Sequence, residues 1–174
     1  MDRETRDALY RGFVAGFMGV HFMGMAAQSV RPAINPEIPR STLFPNQPQS
    51  RDPRKYHPYL VVKRALRALG WDGKWTQGQE LLAADFIHYW YGVFWGLVYA
   101  LIEKRVPLPV LLKGWLLGMF LWSISFPGWI PALGIAEPAR EMSKEDLWIT
   151  LAAHTGYGVG TAAVYRALAE VARR

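Results

Sequence analysis

The sequence predicts an all-α integral membrane protein with four transmembrane helices packed in a bundle. Apolar residues make up 51% of the 174 residues. They are concentrated in four stretches of about 20 residues, the length that a helix needs to cross the hydrocarbon core of a bilayer. Each stretch also contains a Gly-xxx-Gly pair, which allows close helix contact in lipid. We expect a single membrane domain over residues 1–174.

The four predicted spans cover about residues 9–30, 81–102, 111–130 and 147–165. The first and fourth are rich in Gly, Ala and Thr, whereas the second and third are more apolar. A soluble helix with this much glycine would be unstable, so the small residues indicate packing in lipid. The predicted helix-packing residues are Gly12, Gly16, Gly92, Gly96, Gly114, Gly118, Gly156 and Gly160.

A long connection, residues 31–80, joins the first two spans. Its first part, residues 31–58, holds seven of the twelve prolines and predicts a Pro-rich loop without regular structure. The next stretch, "YLVVKRALRALG", predicts a short amphipathic helix that ends at Gly70. Such a basic helix suits the membrane interface, and packing on the extramembrane end of the bundle is the alternative. Its predicted interfacial residues are Lys63, Arg64, Arg67, Trp71 and Trp75.

The third span contains "SISFPGWIP", in which Pro127 lacks an amide hydrogen. The carbonyl of Ser123 therefore loses its helical partner, which predicts a kink. Polar residues concentrate in the same half of the membrane. His88 and His154 are each seven residues into their spans, or roughly 10 Å below the loop-side surface. The predicted buried polar layer is His21, Gln28, Asp85, His88, Ser123, Ser125, Thr150 and His154.

Helical phase predicts which faces these residues share. In the second span the Asp85 and His88 pair lies on the same face as the two glycines, so both should point to one neighbour. In the first span Gly12 and Gly16 lie nearly opposite His21. Two alternatives follow: one face of this helix meets another protomer, or His21 lies outside the polar layer.

Four spans place both termini on one side of the membrane. Short segments near the span ends carry basic residues on that side, and these count most in setting orientation, so both termini are predicted to be cytoplasmic. The basic residues are Arg3, Arg6, Arg11, Lys104, Arg105, Lys113, Arg166, Arg173 and Arg174. The charged N-terminal segment has no small-residue cleavage site and predicts a first span rather than a removable signal peptide.

Four motifs occur in a fixed order: "RPAINPEIPR" after the first span, His88 near the start of the second, "ISFP" at residues 124–127 in the third and His154 in the last. In these motifs, over most of its length, the chain resembles the YagU-like family of bacterial inner-membrane proteins. The resemblance implies a multi-pass inner-membrane protein and no particular reaction. His21 and Asp85 do not match the family pattern, so their roles rest on their position in the spans.

Three interpretations of the polar layer follow. In the first, polar pairs join the helices of a non-enzymatic structural or accessory protein, which acts as a homo-oligomer or with other membrane subunits, and Asp85 fixes the tautomer of His88. In the second, His88 and His154 are axial ligands of a haem or another tetrapyrrole. In the third, His21 and Asp85 join both histidines in a small proton or metal transporter or channel.

Several functional classes find no support in the sequence. The chain has no cysteine, which excludes disulfides, thiolate metal sites and cysteine nucleophiles. Ser125, His88 and Asp85 could meet as a hydrolase set, but their spacing does not assign one, so no catalytic residue and no metal ligand are predicted. The net charge of +6 is attributed to lipid headgroups rather than nucleic acid, because the basic residues flank apolar stretches.

Overall fold

The computed structural model describes residues 2–34 and 56–172, and every regular element in these ranges is helical. Most of the predicted Pro-rich loop, residues 35–55, lies outside the described residues. Helix α3 continues into a 3₁₀ turn at Glu103–Arg105, and α4 continues through a π-helical turn at Ser125–Trp129. The helices are α1 Arg3–Ile34, α2 His57–Ala68, α3 Gln77–Ile102, α4 Val110–Ile124, α5 Ile130–Ala132 and α6 Lys144–Val171.

Helices α3 and α6 begin before the predicted spans, because polar caps start them outside the apolar stretches. The Thr76 hydroxyl accepts the amide of Gln79, and the Gln79 side chain accepts the amide of Thr76 at 2.8 Å. This reciprocal pair is a capping box. At α6 the Ser143 hydroxyl accepts the amide of Asp146 at 3.0 Å. The predicted starts at residues 81 and 147 were therefore too late.

The boundaries of the long connection also differ from the prediction. Helix α1 continues to Ile34, so residues 31–34 are helical rather than irregular; Pro32 removes one hydrogen bond, which a long helix tolerates in its last turn. Helix α2 starts at His57 with proline in its first turn, where no amide bond is lost. It ends as predicted before Gly70, whose φ of +68° and amide bond to Arg67 O form a glycine C-terminal cap.

The helix interruption predicted from Pro127 is present and covers five residues. The Ile130 amide donates to Ser125 O, one residue further back than in an α-helix. Gly128 has φ −106° and ψ −115°, outside the helical region. The chain therefore bends here through a π-helical turn, a common consequence of a proline inside a helix.

The four long helices form a bundle in the order α3, α1, α6, α4 around its axis. Helix α1 packs on α3 and on α6, and α6 packs on α4. Helices α3 and α4 meet through aromatic side chains, with ring centroids 5.5 Å apart for Trp95 and Phe120 and 6.5 Å apart for Tyr91 and Trp129. The bundle therefore has three close helix contacts and one wider contact filled by rings.

Glycines lie at the close contact between α1 and α3. A Cβ atom added to Gly16 would lie 2.5 Å from Gly92 O, and one added to Gly12 would lie 2.7 Å from Gly96 O. The glycine face of α1 thus contacts α3 of the same chain. The glycine face is therefore occupied by α3 and does not meet another protomer.

The other predicted glycines lie at the contacts of α6. A Cβ atom on Gly114 would be 2.7 Å from Gly158 O, and Gly118 lies against the carbonyl of His154. A Cβ atom on Gly156 or Gly160 would meet Phe22 of α1 at 2.7 Å and 2.5 Å. Small residues therefore let α6 approach both of its neighbours closely.

Three of the described helices are long and apolar enough to cross a membrane: Arg3–Val30, Gln77–Arg105 and Val110–Ala132. Helix α6 is not among them, because His154 and the glycines and threonines in its middle lower its mean hydropathy. An all-helical bundle with three such helices is typical of an integral membrane protein. The fourth span stays a prediction.

Large apolar side chains cover the outside of the bundle. On α3, Trp90 and Phe94 are 51% and 55% exposed, and on α4 Leu111 and Phe120 are 64% and 50% exposed. Exposed patches of this extent are unusual on a soluble monomer and suit contact with lipid. Three other aromatic side chains of α3, Tyr89, Tyr91 and Trp95, are partly buried.

Candidate functional site

The predicted acid and imidazole pair of α3 is joined by a third residue, Tyr56. Tyr56 is only 5% exposed, its hydroxyl donates to Asp85 Oδ1 at 2.7 Å, and the same oxygen lies 3.3 Å from His88 Nδ1. Because the single phenolic hydrogen goes to the carboxylate, the Nδ1–H of His88 donates to the phenolic oxygen. Asp85 therefore orients His88 through Tyr56 rather than directly as predicted.

One helical turn nearer the loop, a buried glutamate fastens α2 to α3. Glu80 is 3% exposed and accepts the Tyr59 hydroxyl at 2.8 Å and Lys63 Nζ at 3.0 Å. Lys63 also contacts Asp72 at 3.0 Å, and Arg67 Nε reaches the same carboxylate at 3.3 Å. The charge of Glu80 is thus compensated by one ammonium group and one hydroxyl donor.

These contacts shift the pKa values of the surface groups around Glu80. Hydrogen bonds to Glu80 and Asp72 raise the pKa of Lys63, and the hydrogen bond from Lys63 lowers the pKa of Asp72. Burial, followed by the bond to Glu80, raises the pKa of Tyr59, so its hydroxyl stays protonated and donates. The cluster therefore favours a charged Lys63 and an ionised Asp72.

Helix α2 packs on the end of the bundle, the alternative to a free interfacial position. Val62 and Leu66 are buried against Ala84 of α3 and Tyr56. The tryptophans that follow the helix are 45% exposed at Trp71 and 38% exposed at Trp75, and Arg64 is exposed. Of the predicted interfacial residues, Lys63 and Arg67 form ion pairs, and contact with headgroups stays a prediction for all five.

On the other side of the bundle, polar residues join α6 to α4. Trp122 Nε1 donates to the Thr150 hydroxyl at 3.1 Å, and that hydroxyl donates to Leu147 O at 3.0 Å. His154 is 9% exposed, and its Nδ1 lies 2.8 Å from Thr150 O, which makes Nδ1–H the donor. Trp122 Nε1, the Thr150 hydroxyl and His154 Nδ1 are thus each paired with another group of the protein.

Aromatic rings pack against His57, His154 and His21. Phe126 lies edge-on to two imidazoles, with centroids 5.2 Å from His57 and 5.5 Å from His154. His21 Nε2 is 3.5 Å from the Tyr89 hydroxyl, a long distance for a hydrogen bond, and the rings are 5.4 Å apart. The histidines thus contribute mainly to ring packing at this end of the bundle.

The structure divides the predicted polar layer into separate pairs. Asp85 and His88 contact Tyr56, Thr150 and His154 contact each other, and His21 contacts Tyr89. Two predicted members fall elsewhere: Ser123 is exposed and donates to Met119 O of its own helix, whereas Ser125 is buried in the π-helical turn. Gln28 is partly buried near the end of α1. The bulky rings occupy space that a single polar layer would need.

Sequence reasoning missed the residues that complete these pairs. Tyr56 lies in the predicted Pro-rich loop, and Glu80 falls just before the predicted second span. The sequence "TQGQ" at residues 76–79 carries the Thr-x-x-Gln signature of a helix start. That signature would have placed Glu80 on the first turn of α3, facing the basic helix.

The described His, Asp and Glu side chains do not form a metal-binding cluster. Within residues 2–34 and 56–172, no three His, Asp or Glu side chains are placed to hold a metal ion together. His154 uses Nδ1 for Thr150 O, so Nε2 would be its ligand atom in the haem interpretation. Haem ligation by His88 and His154 stays a prediction.

The geometry therefore defines a class, a membrane helical bundle whose polar side chains join its helices near the long loop. No protein-family profile, no curated protein and no solved structure matches the chain. The resemblance to the YagU-like family stays a prediction on the motifs named above.

Proposed function

We propose that this chain is a four-span bundle of the bacterial inner membrane that acts as a non-enzymatic structural or accessory component. It works as a homo-oligomer or beside other membrane subunits, with both termini in the cytoplasm. The observation that carries the proposal is that polar side chains near the long connection pair with residues of other elements of the chain. Glu80 bonds to Lys63 of α2, Thr150 bonds to Trp122 of α4, and Asp85 bonds to Tyr56 immediately before α2, as expected of groups that hold a bundle together.

The position of α6 supports the fourth span. It lies between α1 and α4, and its glycines contact the middle of both helices, at Phe22 of α1 and Gly118 of α4. A helix enclosed by two spanning helices must lie at their depth. Because its neighbours cover much of its surface, as at Ala162 and Thr161 with 0% exposure, it needs less apolar surface than a lipid-facing helix.

Among the described residues, no comparable set of contacts supports the transport interpretation or the haem interpretation. A proton path needs a continuous series of hydrogen-bonded groups, but Tyr89 and His88 meet only as rings, with centroids 6.4 Å apart. In the haem interpretation both imidazoles would have to face the same bound group, and the described ring contact of His154 is edge-on packing against Phe126. The pairing of side chains with one another favours the structural role.

Purification in a mild detergent, followed by an absorption spectrum and native mass measurement, tests this proposal. We expect a colourless protein whose mass corresponds to a homo-oligomer or to a complex with other membrane chains. A tetrapyrrole absorption band that disappears in both His88→Ala and His154→Ala would contradict it in favour of the haem interpretation. Proton or metal flux in proteoliposomes that His88→Ala abolishes would contradict it in favour of transport. Tyr157→Phe, which removes a buried bond to Gly92 O, is the control for general loss of structure.

A further inference from the structure

At the end of the bundle opposite α2, helices α1, α3 and α6 enclose a groove of about 410 Å³. Its basic lining residues are Arg3, Arg11, Lys104 and Arg166, and its acidic ones are Glu4, Asp7 and Glu103. Most of these charges are already compensated. Lys104 pairs with Glu4, Arg166 with Glu170, and Glu103 with Lys113.

Two hydrogen-bond donors of the groove have no acceptor among the described residues. The Nε atom of Arg11 is buried without a hydrogen bond, and the guanidinium carbon lies 5.5 Å from the centroid of the Tyr165 ring. Tyr165 is 3% exposed, and its buried hydroxyl also lacks a partner. Buried donors of this kind are costly unless a ligand, ion or water satisfies them. Within the described residues, neither Arg11 nor Arg3 forms an ion pair.

We propose that this groove binds a phosphate group, supplied by the headgroup of an anionic phospholipid. A guanidinium group and a phenolic hydroxyl are both donors, so they select a ligand rich in acceptor oxygens and negative charge. The groove lies where the three helices reach the predicted cytoplasmic face, which carries anionic lipid. This location rests on the proposed four-span arrangement, but the donors and their burial do not.

Apolar side chains beside the groove fit the rest of a lipid. Tyr10 on α1 is 68% exposed, and Leu101 and Ile102 at the end of α3 are 50% and 43% exposed. They precede the lining residues Arg11 and Glu103 by one or two positions in the sequence. A headgroup in the groove would therefore leave its acyl chains on an apolar surface.

Binding of fluorescent phosphatidylglycerol to the full chain in detergent, compared with fluorescent phosphatidylcholine, tests the proposal. We expect preference for the anionic lipid, about tenfold weaker binding in Arg11→Gln and a several-fold loss in Tyr165→Phe, the effect of losing one hydrogen bond to a charged group. Removing the opposing carboxylate in Asp7→Asn should strengthen binding. Equal binding of the two lipids by the unchanged protein would overturn the proposal.

Two variants are controls for fold and for total charge. Tyr99 has a buried, unpartnered hydroxyl like Tyr165 but does not line the groove, so Tyr99→Phe should bind as the unchanged protein does. Arg140→Gln removes an exposed positive charge outside the groove and should also have no effect. A loss in these controls equal to the losses in Arg11→Gln and Tyr165→Phe would contradict a specific site.

Competition with inorganic phosphate distinguishes a phospholipid headgroup from free phosphate as the ligand of the groove. If it displaces phosphatidylglycerol at millimolar concentration and its own binding is weakened by Arg11→Gln, the phosphate site stands and free phosphate is a ligand. If it does not compete while the lipid preference persists, the lipid headgroup is the ligand. These binding measurements are made in detergent and do not depend on the orientation of the protein. Absence of lipid binding would therefore contradict the groove proposal without contradicting the four-span arrangement.

Discussion

At the scale of single residues, the buried hydroxyl of Tyr56 organises the most polar part of the bundle. It satisfies Asp85 at 2.7 Å and positions His88 at 3.3 Å, although it comes from outside the spans. A carboxylate in such a position is tolerated only with a donor, because an unpaired buried charge is strongly unfavourable. The tyrosine thus explains how an acid and an imidazole can occupy an otherwise apolar helix.

Replacing this tyrosine should destabilise the protein. Tyr56→Phe keeps the ring but leaves Asp85 without its donor, and we expect the free energy of unfolding to fall by about 1–3 kcal/mol. Thermal or denaturant unfolding in detergent micelles measures the change. Tyr10→Phe, at a 68% exposed tyrosine, is the matched control and should have little effect. Equal stability of Tyr56→Phe and the unchanged protein would show that the hydroxyl is not structural.

Glycines supply a second prediction at residue scale. A methyl group in Gly96→Ala would lie 2.5 Å from the Cα and 2.7 Å from the amide nitrogen of Gly16, so α1 and α3 must separate. We expect a loss of about 1–3 kcal/mol in unfolding free energy. Gly78→Ala is the control, because its nearest neighbour, the Thr76 hydroxyl, is 4.0 Å away. The control should keep or slightly raise stability, since alanine favours a helix over glycine.

At the scale of elements, α2 is held on the bundle by its apolar face and by ion pairs around Glu80. The raised pKa of Lys63 means that its contribution is present below its ordinary value of 10.5 and is lost as pH rises through the folded value. The lowered pKa of Asp72 means that its contribution is present above 3.8 and is lost as pH falls through the folded value. Docking of α2 should therefore be strongest between these limits.

A spin label on Arg64→Cys can report this docking, because the chain has no native cysteine. We expect low label mobility from about pH 5 to pH 9 and higher mobility at both extremes, as each charge is lost. In Asp72→Asn the change at low pH should be smaller, whereas the change at high pH should persist. A mobility that does not vary with pH would indicate that the apolar contacts of Val62 and Leu66 alone hold α2.

The sequence predicts elements better than it predicts contacts. Hydropathy places the cores of the spans, and Pro127 and Gly70 mark a bend and a helix end through local rules of backbone chemistry. The pairing of Tyr56 with Asp85 or of Lys63 with Glu80 joins residues 29 and 17 positions apart through the fold, so no local spacing reveals it. Depth along a helix places the histidines at a similar level, but it does not specify which neighbour each side chain faces, so the contacts of each histidine could not be predicted.

At the scale of the whole molecule, the number of spans decides the arrangement of the chain. Three helices have the length and hydropathy of membrane spans, and three spans would put the termini on opposite sides. If α6 also crosses, as its enclosure between α1 and α4 supports, the termini share one side. The groove with Arg11 and Tyr165 then lies on the side of the termini, which we propose is the cytoplasm, and α2 lies on the opposite face.

Labelling of single cysteines with a membrane-impermeant maleimide in intact cells tests the four-span arrangement most directly. Arg6→Cys, Lys74→Cys and Ala172→Cys lie at exposed positions in the first two turns of α1, between α2 and α3, and after α6. We expect Lys74→Cys to react in intact cells, and Arg6→Cys and Ala172→Cys to react only after the membrane is opened. Labelling of Arg6→Cys and Ala172→Cys from opposite sides would contradict the four-span bundle.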